Sequence, residues 1–475
     1  MSKSLKSILF VIAGLIGLLI SISVALFLYV DTSAYKPRLE EAASEALGMD
    51  VHVGGRLGIS FFPGLHIRLD DVHIRNQEMD IASAEEASLE IALLPLLHKE
   101  VRLRRIGLQR PRITIKRNSD GTFNFQKRKG TRGTSHALDL KKLSLSDGVF
   151  LYGNEQTGKG YEVGNFDLEV RSLRIAGRNG AELLKSLSFT AEFACRNIQT
   201  KGFMFSDVKC TCKGKDGILA LNPVTWRLFE GHGSGIIGVD LTEPVPRYTI
   251  RSSISKFRIE ESLKSLSSNK VAEGSMDFSA SLSMRGNTAE QMKQTAGGEV
   301  SLRGENLTLY GHDLDREFAR YETSQNFNLV DAGAFFFAGP LGLVVTKGYN
   351  FASIFQGPGG STSIRRLFSD WKVERGIAQA KDVAMATKQN RIALKGKLNF
   401  GDERFDDVTI AIIDDRGCAR VQQKINGPFR KPVVEKPNVL ISLAGPALNM
   451  LKQARGLFID ERCEVFYTGS LPAPR

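Results

Sequence analysis

From residue 57 onward, apolar side chains recur at every second position, a period that commits most of the chain to half-buried β-strands. Leu57, Ile59 and Phe61 alternate with small or polar residues up to Pro63-Gly64, and Leu65, Ile67 and Leu69 alternate with His66, Arg68 and Asp70. The spacing returns in Ile113 and Ile115, in Leu143 and Leu145, and in Leu187, Phe189, Ala191 and Phe193. It returns again in Leu307 and Leu309 and in Ile392, Leu394, Leu398 and Phe400. Gly, Asn and Asp punctuate the runs, as in Asn118–Gly121 and Lys215–Gly217. One apolar face per strand, many strands in series, predicts hairpin-connected antiparallel sheet. The predicted helices are few: 32–47, 259–267, 288–295, 313–325 and 447–458. About 25 strands at about 4.8 Å would stack to roughly 120 Å, too long for one small barrel. The expected fold is mainly β: a transmembrane helix, then a long, twisted, curled antiparallel sheet forming a groove or trough.

The transmembrane helix is read from Ile8 to Val30, which holds Phe10, Leu19 and Leu26 and neither charge nor proline. It would reach roughly 34 Å, enough for a hydrocarbon core of about 30 Å. A cleaved signal sequence has an apolar region of only about 7–15 residues. Lys3 and Lys6 precede the span and Asp31 follows it, so residues 1–7 are expected in the cytoplasm and the rest outside. A second apolar run, Ala332–Val345, is broken by Gly333, Gly339, Pro340 and Gly342 and suits a buried turn or strands, or an interfacial loop.

The formal charge of +12 is local. Residues 99–132 hold twelve Lys and Arg against Glu100 and Asp120. Arg102 and Arg104 alternate with Val101 and Leu103, next to Arg105, as on a solvated strand face. Contact with anionic lipid headgroups is the functional alternative, since the anchor would hold this stretch near a bilayer. Nucleic acid is not an expected partner outside the membrane, where Phe123 and Phe125 alone could stack.

No residue set demands catalysis. Gly233–Gly238 fits G-x-G-x-x-G, yet Pro244 and Pro246 follow instead of a helix. His312, Asp313 and Asp315 could seat a metal, but Asp313 as a helix cap explains them more simply. The paired carboxylates Asp70-Asp71, Glu85-Glu86, Asp406-Asp407 and Asp414-Asp415 should point to opposite strand faces. A non-enzymatic protein without cofactor or metal is expected. Five cysteines, Cys195, Cys210, Cys212, Cys418 and Cys463, leave at least one thiol free or intermolecular.

Gly55-Arg-Leu57, Pro63 and Leu69-Asp-Asp-Val72-His-Ile74-Arg-Asn76, placed after an anchor and a short helix, resemble the opening of the bacterial AsmA family. Lys142–Tyr152, Asp216–Leu221 and Gly297–Leu302 are similar to internal stretches of that family, and Arg416–Gly469 to its end. The resemblance implies an inner-membrane protein whose bulk is a periplasmic β-sheet curled into an apolar groove. Leu57, Ile59, Phe61, Leu65, Ile67 and Leu69 would then line the groove, or else pack as a core. It implies binding or movement of phospholipid in support of outer-membrane assembly, with other envelope proteins as further partners. A non-enzymatic scaffold for outer-membrane proteins is the alternative. On this resemblance the regions are 1–7, the anchor 8–30, an N-terminal β region 31–130, a central sheet 136–415 and a C-terminal cap 416–475. A Cys418–Cys463 disulfide is expected from the compartment and the family's C-terminal motifs.

Overall fold

The structure is a computed structural model that describes residues 36–60, 64–76, 79–92, 95, 102–125, 138–175, 185–200, 202–264, 270–324, 336, 359–436, 438–439 and 465–473. Among these no helix is long and apolar enough to cross a membrane. Ile8–Val30, Phe61, Cys463, the helix predicted at 447–458 and the stretch 127–135 all lie outside the described residues. The chain divides into two compact units at Val224–Thr225.

The first unit opens with α1 (Lys36–Leu47), then β1 (Asp50–Val53), β2 (Leu57–Ser60), β3 (Leu65–Asn76) and β4 (Met79–Ile91). It continues through β5 (Leu103–Gln109), β6 (Arg112–Arg117), β7 (Leu138–Asn154), β8 (Lys159–Ile175), β9 (Ser188–Thr200) and β10 (Met204–Lys215). β1 and β2 share β3 as partner, and β5 and β6 lie end to end against β4. All these pairings and those from β7 to β10 are antiparallel. One junction corrects the sequence expectation: β5 and β6 both pair parallel to β7, so the sheet is mixed. A parallel neighbour needs a connection of about a dozen residues or more, and residues 118–137 supply it.

A left-handed residue interrupts strand after strand along one line: Asp71 in β3, Arg110 between β5 and β6, Asp147 in β7, Asn165 in β8 and Asp207 in β10, with φ from 47° to 56°. Asp and Asn tolerate this conformation better than other side chains. The alternation changes phase there, from Leu65, Ile67 and Leu69 to Val72 and Ile74, and from Leu143 and Leu145 to Phe150 and Tyr152. The phase change keeps apolar side chains on one face across the interruption. Leu69 and Val72 accordingly meet in one cluster with Val53, Ala87 and Leu108.

β11 (Ile218–Leu228) runs through the division between the units. The second unit carries β12 (Gly231–Asp240), β13 (Arg247–Arg258), α2 (Ile259–Leu263), β14 (Ala272–Glu273), β15 (Ser275–Arg285), α3 (Ala289–Thr295), β16 (Gly297–Tyr310) and α4 (Leu314–Ser324). After it come β17 (Ser361–Glu374), β18 (Ile377–Ala386), β19 (Arg391–Asn399), β20 (Arg404–Ile413), β21 (Ala419–Pro428), β22 (Val433–Val434) and β23 (Asn438–Val439). Its described strand pairings are all antiparallel, beside one isolated parallel bridge between His312 and Gly359. The left-handed device recurs at Lys256, Asn306 and Asp407. At two of them the N–H donates to a side chain of the next strand: Lys256 to Asp277 Oδ1 and Asp407 to Asn426 Oδ1, both at 2.8 Å.

Val383–Ala386, Arg391–Leu394 and Ile410–Ile413 are buried on both faces. Phe466, Tyr467 and Leu471 cover one of those faces, packing on Ala384, Ala386, Ala393, Ala411 and Ile413. Four alanines let the segment approach closely. Phe336, from the second apolar run, is fully buried, and its carbonyl accepts a bond from Ser369 Oγ at 3.0 Å.

Candidate functional site

Strand register turns separate alternations into continuous apolar rows crossing the first unit. Leu69 stands opposite Ala87, then Leu108, Leu145, Leu168, Phe193 and Cys210 on successive strands. Beside it runs Ile67, Leu89, Ile106, Leu143, Val170, Ala191 and Cys212. Beyond the left-handed line a third row joins Val51, Ile74, Ala82, Ile113, Phe150, Val163, Ile198 and Phe205. At about 4.8 Å per strand, the first row extends about 29 Å. Leu145, Val163, Val170 and Ala191 are buried, whereas Leu168, Phe193, Cys210 and Cys212 are half-buried.

The opposite face is charged and largely self-paired. Arg68 lies 3.3 Å from Glu86, Arg105 3.2 Å from Glu90 and Arg110 2.6 Å from Glu85. Lys142 and Arg171 meet Glu169 at 2.8 and 2.5 Å, and their hydrogen bonds hold its carboxyl below the usual range. An apolar face backed by a charged one leaves the apolar face to be filled by packing or by an apolar occupant.

Of the six residues expected to line a groove or pack as a core, five are described, and they share one apolar cluster. Leu57 opposes Leu69 and Ile59 opposes Ile67. With Leu65 they form a cluster with Leu89, Ile91, Leu103 and Leu39 of α1. At this end, therefore, a helix contributes to covering the face. α1 also occupies the outer edge of β1: the Val51 and Val53 N–H groups donate to Ser44 Oγ at 2.8 Å and Glu40 Oε1 at 2.7 Å. Leu145 and Phe193 are legible in the sequence as strand positions, but that they share one row with Leu108 and Leu168 is decided by register alone.

The other expected sites are placed as follows. Arg102, Arg104 and Arg105 are exposed at the start of β5, Arg105 beside Glu90. Cys418 is disulfide-bonded, and Cys195, Cys210 and Cys212 are free. Burial pushes all three free thiols up, Cys195 to about 11. Asp313 caps α4 by accepting the Arg316 N–H at 3.1 Å, while His312 Nδ1 faces Glu317 at 3.2 Å. Gly233 lies in β12, where a Cβ would stand 2.1 Å from the Trp226 ring, so close packing explains that glycine.

One charged face and one apolar face crossed by continuous rows define the first unit as a two-faced antiparallel and parallel β-sheet. A family model described as AsmA family matches residues 1–175 and 134–382, and the chain belongs to the AsmA family. No curated protein and no solved structure matches it.

Proposed function

We propose that the protein binds phospholipid along the apolar face of its first unit and serves envelope biogenesis, without catalysing a reaction. The observation that carries this reading is the row from Leu69 to Cys210, whose far half stays only half-buried. Acyl chains are the occupant that an uninterrupted apolar strip of this length suits, and family membership supports the envelope role. The anchor at Ile8–Val30 would place α1, and thus the β1 edge, near the inner membrane, with the rows leading away from it across the periplasm. The exposed Arg102, Arg104 and Arg105 would face anionic headgroups of that membrane. Recruitment of an envelope protein by strand addition at the β1 edge is opposed by α1, which already takes the Val51 and Val53 donors.

The test is native mass spectrometry of the full chain in mild detergent. Wild type is expected to carry phospholipid, and Leu168→Asp to lose it while keeping its fold. A folded wild type that carries no lipid and acquires none from phospholipid vesicles overturns the reading.

A further inference from the structure

The apolar face of the first unit changes character toward one end of its strands, and the register fixes the order. The Phe150 row is aliphatic and aromatic. Two residues further along the same face, Ile115 stands opposite Tyr152 and Tyr152 opposite Tyr161. The two tyrosine rings stack at 5.0 Å, Phe150 lies 6.0 Å from Tyr161, and Tyr161 remains 41% exposed. Two residues further again, the outermost row is Arg117, Asn154 and Lys159. Across one face the order is therefore hydrocarbon, aromatic, cation, which is the order of acyl chain, ester region and phosphate in a glycerophospholipid.

Among the described residues, neither cation is paired with a carboxylate. Arg117 donates from Nε to the Gly121 carbonyl at 3.4 Å and its guanidinium carbon lies 5.9 Å from the Phe123 ring, but it makes no ion pair among the described residues. Lys159 is exposed at the start of β8 and likewise makes none among them. The neighbouring carboxylates accept from backbone and hydroxyl donors: Asp120 from Thr122 in its own turn, and Glu155 Oε2 from the Ser119 N–H of the segment after β6, at 3.2 Å. Arg117 and Lys159 stand two strands apart, about 10 Å between backbones, a gap that two long side chains can close around one phosphate.

We propose that Arg117 and Lys159, above the Tyr152–Tyr161 pair, form the phosphate-binding lip of the apolar face, so that a bound phospholipid lies along the strands with its headgroup at this rim. This rests on the phospholipid reading above and adds the orientation of the ligand and the groups that select it.

The experiment compares uptake by the full chain, in mild detergent, from vesicles doped with either a phospholipid or a diacylglycerol of the same chains. Wild type is expected to prefer the phospholipid by about tenfold, and Arg117→Gln/Lys159→Gln to show no preference while taking up diacylglycerol as before. Lys209→Gln/Lys213→Gln, on strand β10 facing away from the apolar rows, controls for net charge and should keep the preference. If the Arg117/Lys159 variant keeps it too, the lip is overturned and the lipid reading stands. If wild type takes up neither lipid, both fall together. If inorganic phosphate alone competes the phospholipid off, the pair is a free-phosphate site and the proposed lip is wrong.

Discussion

The Tyr467 hydroxyl donates to Asp382 Oδ1 at 2.5 Å, tying the C-terminal segment to the middle of β18. Ser470 adds bonds from its N–H at 3.1 Å and its hydroxyl at 2.6 Å to Oδ2 of the same carboxylate. Arg391 Nη1 donates to the Leu471 carbonyl at 2.9 Å. Burial works to raise the Asp382 pKa, but the bonds from Ser470 and Tyr467 outweigh it and leave it lowered, while burial and the Asp382 bond push the Tyr467 phenol up.

Asp382→Asn should therefore loosen the segment. A depressed folded pKa contributes stability that is present above the ordinary aspartate value of about 3.9 and lost as pH falls through the lower folded value. Discounting for partial exposure, a loss of about 1–2 kcal/mol at neutral pH is expected in urea unfolding. The difference from wild type should vanish in strong acid; a difference that persists there contradicts the assignment.

Edge protection by α1 is measurable at single amides. Ser44→Ala leaves the Val51 N–H without its partner and should cost about 1 kcal/mol. Hydrogen exchange at Val51 should speed up, with Val53 responding instead to Glu40→Ala. Unchanged exchange at both amides would mean that α1 does not hold this edge in solution.

The left-handed line can be probed at Asp147, whose φ is 56° and whose side chain is exposed. Its N–H donates to Asp167 Oδ1 at 3.0 Å, and its carboxylate accepts from Asn165 Nδ2 at 2.7 Å. Asp147→Gly keeps the conformation and should fold with little loss. Asp147→Val should be less stable than the glycine variant by about 1–2 kcal/mol, because a β-branched residue resists positive φ. Thermal melting of the two variants decides the matter.

The free thiols report on the apolar face. At a pKa of about 11, Cys195 exposes about one thiolate in a thousand at about pH 8. Alkylation there should be slowest at Cys195, quicker at the half-buried Cys210 and Cys212, and equal for all three after unfolding. Phospholipid vesicles should slow Cys210 and Cys212 further, since both close the apolar rows. Equal rates in folded and unfolded protein would show that the face is not shielded.

Peptide mapping without reductant should recover Cys418 joined to Cys463, the pairing expected for the family's C-terminal region. Cys418 bridges Val465 across two backbones, so the bond would secure the segment that carries Tyr467. Recovery of both cysteines alkylated and unlinked would exclude it.

The amino-acid sequence by itself determined what is local. The pleat places every second side chain on one face, so the alternations at Leu65–Leu69 and Leu143–Leu145 announced half-buried strands without tertiary information. The change of phase at Asp70-Asp71 was legible too, although paired acids there invite a reading as charges rather than as a left-handed residue. Asp313 as a cap followed from residue type alone. Tertiary structure decided what is non-local. Leu145 faces Leu168 and Leu168 faces Phe193 only in one register, and a slip of one residue would turn each row to the charged side. Nothing in the strands' own composition requires β7 to lie parallel to β5 and β6, or Phe466 and Tyr467 to cover the alanines of β18–β20. Those pairings depend on burying surface between residues far apart in the chain, and no local pattern encodes that.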